Sequence, residues 1–109
     1  MNFLKNIPEE PSELKKLIPY RENRVISKSL SKSEQIQLML LSVSLGEEVT
    51  SERYPGDIFY YVLDGSMPLR KDENTYLLKE GDCMAVEAGI DHAIGGAGAF
   101  KVLQITVTL

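Results

Sequence analysis

The stretch Gly46-Glu47-Glu48-Val49-Thr50-Ser51-Glu52-Arg53-Tyr54-Pro55-Gly56-Asp57-Ile58-Phe59-Tyr60-Tyr61-Val62-Leu63-Asp64-Gly65 decides the fold. Its second half, Asp57 to Asp64, is the clearest strand in the chain, because both of its alternating sets are apolar or aromatic. Ile58, Tyr60 and Val62 fall on one side of an extended backbone, and Phe59, Tyr61 and Leu63 on the other. Asp64-Gly65 then reads as a hairpin-type turn, since glycine accepts positive φ.

Working outward, the same grammar of short extended segments and turn residues continues in both directions. Downstream, Ser66 to Arg70 and Thr75 to Lys79 form a hairpin with Lys71-Asp72-Glu73-Asn74 as its polar tip. Glu80-Gly81-Asp82 turns into Cys83 to Glu87, Gly89 is a further turn point, and Gly95-Gly96-Ala97-Gly98 leads into a last strand from Ala99 to Thr108. Upstream, Gln35 to Leu45 is a long strand whose apolar residues change phase, from Ile36, Leu38 and Leu40 to Leu41, Val43 and Leu45. That change predicts either a bulge or a strand covered on both faces. Residues 1–20 carry Pro8, Pro11 and Pro19, so any helix there is short. Ser12 is placed to cap one, with Leu14, Leu17 and Ile18 on a single face. The expectation is one all-β domain over residues 1–109, with a 1–20 arm or helical turn packed on a 24–108 barrel.

Bulk properties narrow the function classes. In 109 residues there is room for one core. A net charge of -4, with Lys and Arg scattered among acidic residues, disfavours a nucleic-acid partner, which needs clustered bases. The longest apolar run, Leu38 to Leu41, is far short of a membrane span, and the first residues lack a signal-peptide pattern. Cys83 is the only cysteine, which rules out an internal disulfide and fits a reducing compartment. These features predict a cytoplasmic protein with no membrane partner. Cys83 itself, on a strand without a neighbouring base, reads as a buried, inert thiol.

At this point the sequence resembles the cupin superfamily, whose fold is a small jelly-roll β-barrel. The family's first motif, G-x5-H-x-H-x3-E-x6-G, is matched in spacing by Gly46, Glu52, Tyr54, Ile58 and Gly65. Its second, G-x5-P-x-G-x2-H-x3-N, is matched by Gly81, Gly89 and His92, with Glu87 in place of the proline and Gly96 in place of the asparagine. The resemblance spans roughly Arg24 to Thr108.

In metal-dependent cupins the two histidines and the glutamate of the first motif bind a divalent metal together with the histidine of the second. Here those positions read Glu52, Tyr54, Ile58 and His92. Ile58 has no donor atom, so the resemblance implies a barrel with no metal and no cofactor. A set of Glu52, Tyr54 and His92 leaves a narrow opening for a non-standard metal, because catalytic sites often use about three protein ligands.

The leading expectation is a stand-alone cupin that binds a small molecule in a pocket lined by Glu52, Tyr54, Ile58, Tyr60 and His92. One alternative is a small enzyme, isomerase/epimerase-like or dioxygenase-like, using a non-standard metal or a Tyr54/His92 acid-base pair. Another is a dimeric sensory or structural module. Glu47, Glu48 and Glu52 suggest an acidic mouth that disfavours anions, although consecutive glutamates after a glycine more often form a solvated loop. Arg53 is expected to alternate away from its neighbours. If Ile58, Tyr60 and Val62 face inward, then Phe59, Tyr61 and Leu63 form an outward apolar patch. Either the arm or a second copy has to cover it, and a homodimer is expected.

Overall fold

The computed structural model describes residues 2–52 and 54–109, with Ser51 and Glu52 described through their backbones alone. Among the described residues, a single 3-10 turn at Leu14–Leu17 is followed by eight strands: β1 (Val25–Ser29), β2 (Ile36–Val43), β3 (Glu48–Glu52), β4 (Asp57–Lys71), β5 (Asn74–Lys79), β6 (Cys83–Val86), β7 (His92–Gly95) and β8 (Phe100–Val107). Every pairing between these strands is antiparallel. One sheet runs β1-β2-β8-β4, with β6 also on β4; the other joins β3, β7 and β5 around the far half of β4. The all-β barrel expected from the sequence is what forms, as an antiparallel sheet curled around one core.

β4 is the strand both sheets share, and it corrects the reading of Asp64-Gly65. No hairpin turn occurs there. The strand runs on for 15 residues from Asp57 to Lys71. Its pairing with β8 shifts register between Val62 and Asp64, a bulge that lets one strand pass from the first sheet to the second. Gly65 makes the crossing feasible: its φ is +72°, and a Cβ there would stand 2.2 Å from the carbonyl oxygen of Ala99. The true hairpin lies where the polar tip was expected, with Lys71 paired to Asn74 and both Asp72 and Glu73 at positive φ.

Alternation along the strands sorts side chains into two clusters. Leu41, Val43, Ile58, Tyr60, Val62, Met67, Leu69, Phe100 and Val102 fill the barrel. The phase change in β2 is explained by cover on both faces, because its ladder to β8 is unbroken from Ile36 to Val43. Leu41 and Val43 enter the barrel core, whereas Leu40 joins Ile18, Leu30 and Leu63 on the outside. Leu45 lies beyond the strand, in a turn, and is 75% exposed.

The N-terminal arm makes this outer cluster. Leu14 and Leu17 of the 3-10 turn pack on it together with Ile7, and Ile18, just past the turn, is one of its buried members. Ser12 does not cap the turn; its hydroxyl donates to the carbonyl of Glu10, and the N-cap residue is Glu13, with no capping hydrogen bond from its side chain. Polar ties hold the arm in place. Tyr20 donates to the Asp64 carboxylate at 2.6 Å, Lys101 to the carbonyl of Lys15 at 2.8 Å, and Lys28 to that of Leu17 at 3.0 Å. The Lys101 ammonium also sits 4.7 Å from the centre of the Tyr20 ring.

Candidate functional site

One end of the barrel is built by two turns that are bonded to each other. The amide of Gly89 donates to the carbonyl of Tyr54, and the amide of Ala88 to the carboxylate of Asp57, both at 2.9 Å. These bonds set the start of β4 beside the start of β7, and so bring Tyr54, Ile58, Tyr60 and His92 to one place. Ile58, Tyr60 and His92 are all buried, and Tyr54 is half-buried against the core. The backbone of Glu52 pairs with His92. The side chain of Glu52 and the whole of Arg53 lie outside the described residues, and with them the expectation that Arg53 turns away.

Hydrogen bonding assigns the state of His92. Its Nδ1 is 3.0 Å from the carbonyl oxygen of Ile90, and its Nε2 is 2.7 Å from the Tyr60 hydroxyl. A carbonyl can only accept, so Nδ1 carries a proton, and in the neutral ring Nε2 accepts from Tyr60. Tyr60 also meets the imidazole edge-on, with ring centres 5.7 Å apart. Tyr54 stands over the same ring at 6.1 Å, tilted by 42°. The phenol bonded to His92 is therefore that of Tyr60, two residues beyond Ile58, rather than that of Tyr54.

Ile58 is 2% exposed. Among the described residues no three His, Cys, Asp or Glu side chains come together as a metal would need. The described donors do not fit the metal of the family: the buried group at the carboxylate position is a hydrocarbon, and the ring nitrogen of His92 that faces Tyr60 is engaged by it. Glu48 lies away from this site, since its partner in the β3–β7 ladder is Gly95, at the opposite end of β7 from His92. Glu48 is a strand residue rather than part of a loop, and it forms an ion pair with Arg70 of β4.

Cys83 is a second correction. It is exposed, because it stands opposite Tyr61 in the β4–β6 ladder and shares its outward face. The outward set itself is divided. The arm covers Leu63, whereas Phe59 and Tyr61 remain 40% and 38% exposed.

Sequence reasoning passed over Gln104 and Thr106. Both are buried and lie on the inward parity of β8 with Phe100 and Val102; Gln104 is paired with Tyr60, and Thr106 with Ile58. The signal was present in the alternation: two polar residues continue the inward set of a strand that starts apolar.

Comparison with known proteins agrees with this fold. Residues 39–107 match a family model described as the Cupin domain. A solved cupin superfamily protein from Desulfitobacterium hafniense DCB-2 is 43% identical, with 95% of this chain and 96% of that one covered and a TM-score of 0.92. A conserved Streptococcus pyogenes protein of unknown function is 25% identical, with coverage of 100% and 96% and a TM-score of 0.93. At 16% identity, a DMSP lyase from Ruegeria pomeroyi DSS-3 shares the fold, with a TM-score of 0.70 over 78% of this chain and 47% of that one. No match is found among curated proteins.

Proposed function

The chain belongs to the cupin family, and from that premise we propose that it binds a small molecule at the barrel end where Tyr54, Ile58, Tyr60 and His92 meet, without the family's metal. The observation that supports this most is the Tyr60–His92 hydrogen bond, 2.7 Å long and buried beside the apolar barrel core. A buried polar pair at one end of a barrel orients its neighbours and offers a point of specificity to a ligand. A thermal-shift screen of the purified full chain against sugars, amino acids, amides and organic acids tests the proposal, because a ligand that binds only the native state raises the melting temperature. A hit whose shift is lost in His92→Ala supports it. A screen in which no compound moves the melting temperature sinks it, and stoichiometric tightly bound metal in protein purified without tag or chelator overturns the metal-free part.

The proposed assembly is a homodimer formed through the outer face of the first sheet. What supports it is the exposure of Phe59 and Tyr61 beside the arm-covered Leu63, with Ile36 also 37% exposed on the same sheet. Light scattering on the eluted protein should give twice the chain mass at micromolar concentration, and Tyr61→Lys should shift it to the monomer. A wild-type monomer at that concentration removes the dimer.

A further inference from the structure

Four side chains form a row across the inner face of the first sheet. Met39 of β2 is paired with Gln104 of β8, Gln104 with Tyr60 of β4, and Tyr60 with Met84 of β6. Residues directly opposite in antiparallel strands point to the same face, with Cβ atoms about 5 Å apart. Gln104 therefore stands beside the tyrosine that holds His92. It is 3% exposed, and its Oε1 has no hydrogen-bond partner among the described residues. An amide oxygen left unpaired in a protein interior loses its hydration without replacement, and such a group in a native fold calls for an explanation.

From this we infer that Gln104 is a recognition residue whose buried carbonyl accepts a hydrogen bond from the ligand, and that the ligand is an uncharged molecule bearing an N–H or O–H donor, such as a carboxamide or an alcohol. The inference rests on the small-molecule reading of this site and names its chemistry. The donor follows from the acceptor that lacks one. The absence of charge follows from the inner positions of β2, β8, β6 and the first half of β4. Apart from Gln104, the polar residues on that face are Gln37, Tyr60 and Thr106, and none of its side chains is an ionised one. An ion placed against them would be desolvated without compensation. Room comes from the ends of the row: Met39 and Met84 are only partly buried, and methionine is the apolar side chain that repacks most readily.

The test uses acetamide and acetone, which have nearly the same shape and the same carbonyl, but only acetamide has N–H donors. Each is titrated into the isotope-labelled full chain while NMR follows the Gln104 side-chain amide and the His92 ring. Acetamide is expected to shift both and to bind at least about tenfold more tightly than acetone, because a site that pairs a buried acceptor rejects the analogue lacking the donor. Gln104→Leu is expected to abolish the acetamide response while melting about 4 °C or more above wild type, since it replaces an unpaired polar group with an apolar one of similar size. Gln104→Met serves the same purpose should the branched side chain not fold.

Equal binding of the two probes, no response to acetamide, or an acetamide response that survives the substitution overturns the inference. So does a crystal structure with acetamide in which an ordered water alone occupies the Gln104 oxygen. In any of these cases a different hit from the broader screen would leave the small-molecule reading standing, so the two failures are distinguishable.

Discussion

Tyr60 and His92, 32 residues apart in the chain, are joined by a buried 2.7 Å hydrogen bond in which the phenol donates to Nε2 of the neutral ring while Nδ1 is tied to the carbonyl of Ile90. The ring is thus held as one tautomer with both nitrogens satisfied. Nitrogen NMR is expected to find the neutral ring of His92 as the Nδ1-protonated tautomer. Tyr60→Phe leaves Nε2 buried without a donor, so urea denaturation should show a loss of about 1–3 kcal/mol. A variant as stable as wild type would mean that this nitrogen finds another donor.

Two glycines with similar backbones should respond differently to a methyl group. Gly46 has φ +80°, and a Cβ added to it would meet nothing within 4 Å, whereas Gly65 combines φ +72° with the 2.2 Å clash against Ala99. Gly46→Ala should cost about 1–2 kcal/mol, the left-handed penalty alone. Gly65→Ala should cost about 3 kcal/mol or more, or prevent folding, because strain and backbone overlap add. Chemical denaturation of the two variants side by side checks the difference.

The hairpin at Asp72-Glu73 places two ordinary L-residues in the left-handed region, at φ 51° and 66°. A two-residue turn of this hand favours glycine at its second position. Glu73→Gly should therefore raise stability by about 0.5–1 kcal/mol, read as a higher denaturation midpoint with an unchanged slope.

Partial burial, and then the hydrogen bond to the Asp64 carboxylate, hold the Tyr20 hydroxyl well above the usual phenol range. The folded state thus favours the protonated phenol more than the unfolded chain does. The resulting stability is fully present below about pH 10, where an unfolded tyrosine titrates, and is lost as pH rises further. The stability difference between wild type and Tyr20→Phe should be constant from pH 7 to about 9 and shrink above about 10. A difference that grows with alkali would reverse the sign and remove this account.

The strands were legible wherever alternation and turn residues agreed, as along Ile58 to Val62 and around the Lys71–Asn74 tip. Asp64-Gly65 misled because a glycine at positive φ serves a bulge inside a strand as well as a turn between strands, and only the neighbouring Ala99 carbonyl distinguishes the two. Cys83 misled because parity on a short strand depends on its partner: opposite Tyr61 it faces outward. At the site, spacing singled out Ile58 and His92, but the bond between Tyr60 and His92 depends on the sheet bringing distant strands together. Gln104 could have been found by carrying the inward parity of β8 through to its end.

The position of β8 bears on how the chain can acquire its shape during synthesis. β8 lies between β2 and β4 and is hydrogen-bonded to both along Phe100–Val107. Until those residues have cleared the ribosome, β2 and β4 have no neighbour on that side, and both clusters lack one wall. Closure of the barrel therefore waits for β8, and in the interval the nascent polypeptide exposes two unpaired strand edges, which are open to pairing with other chains.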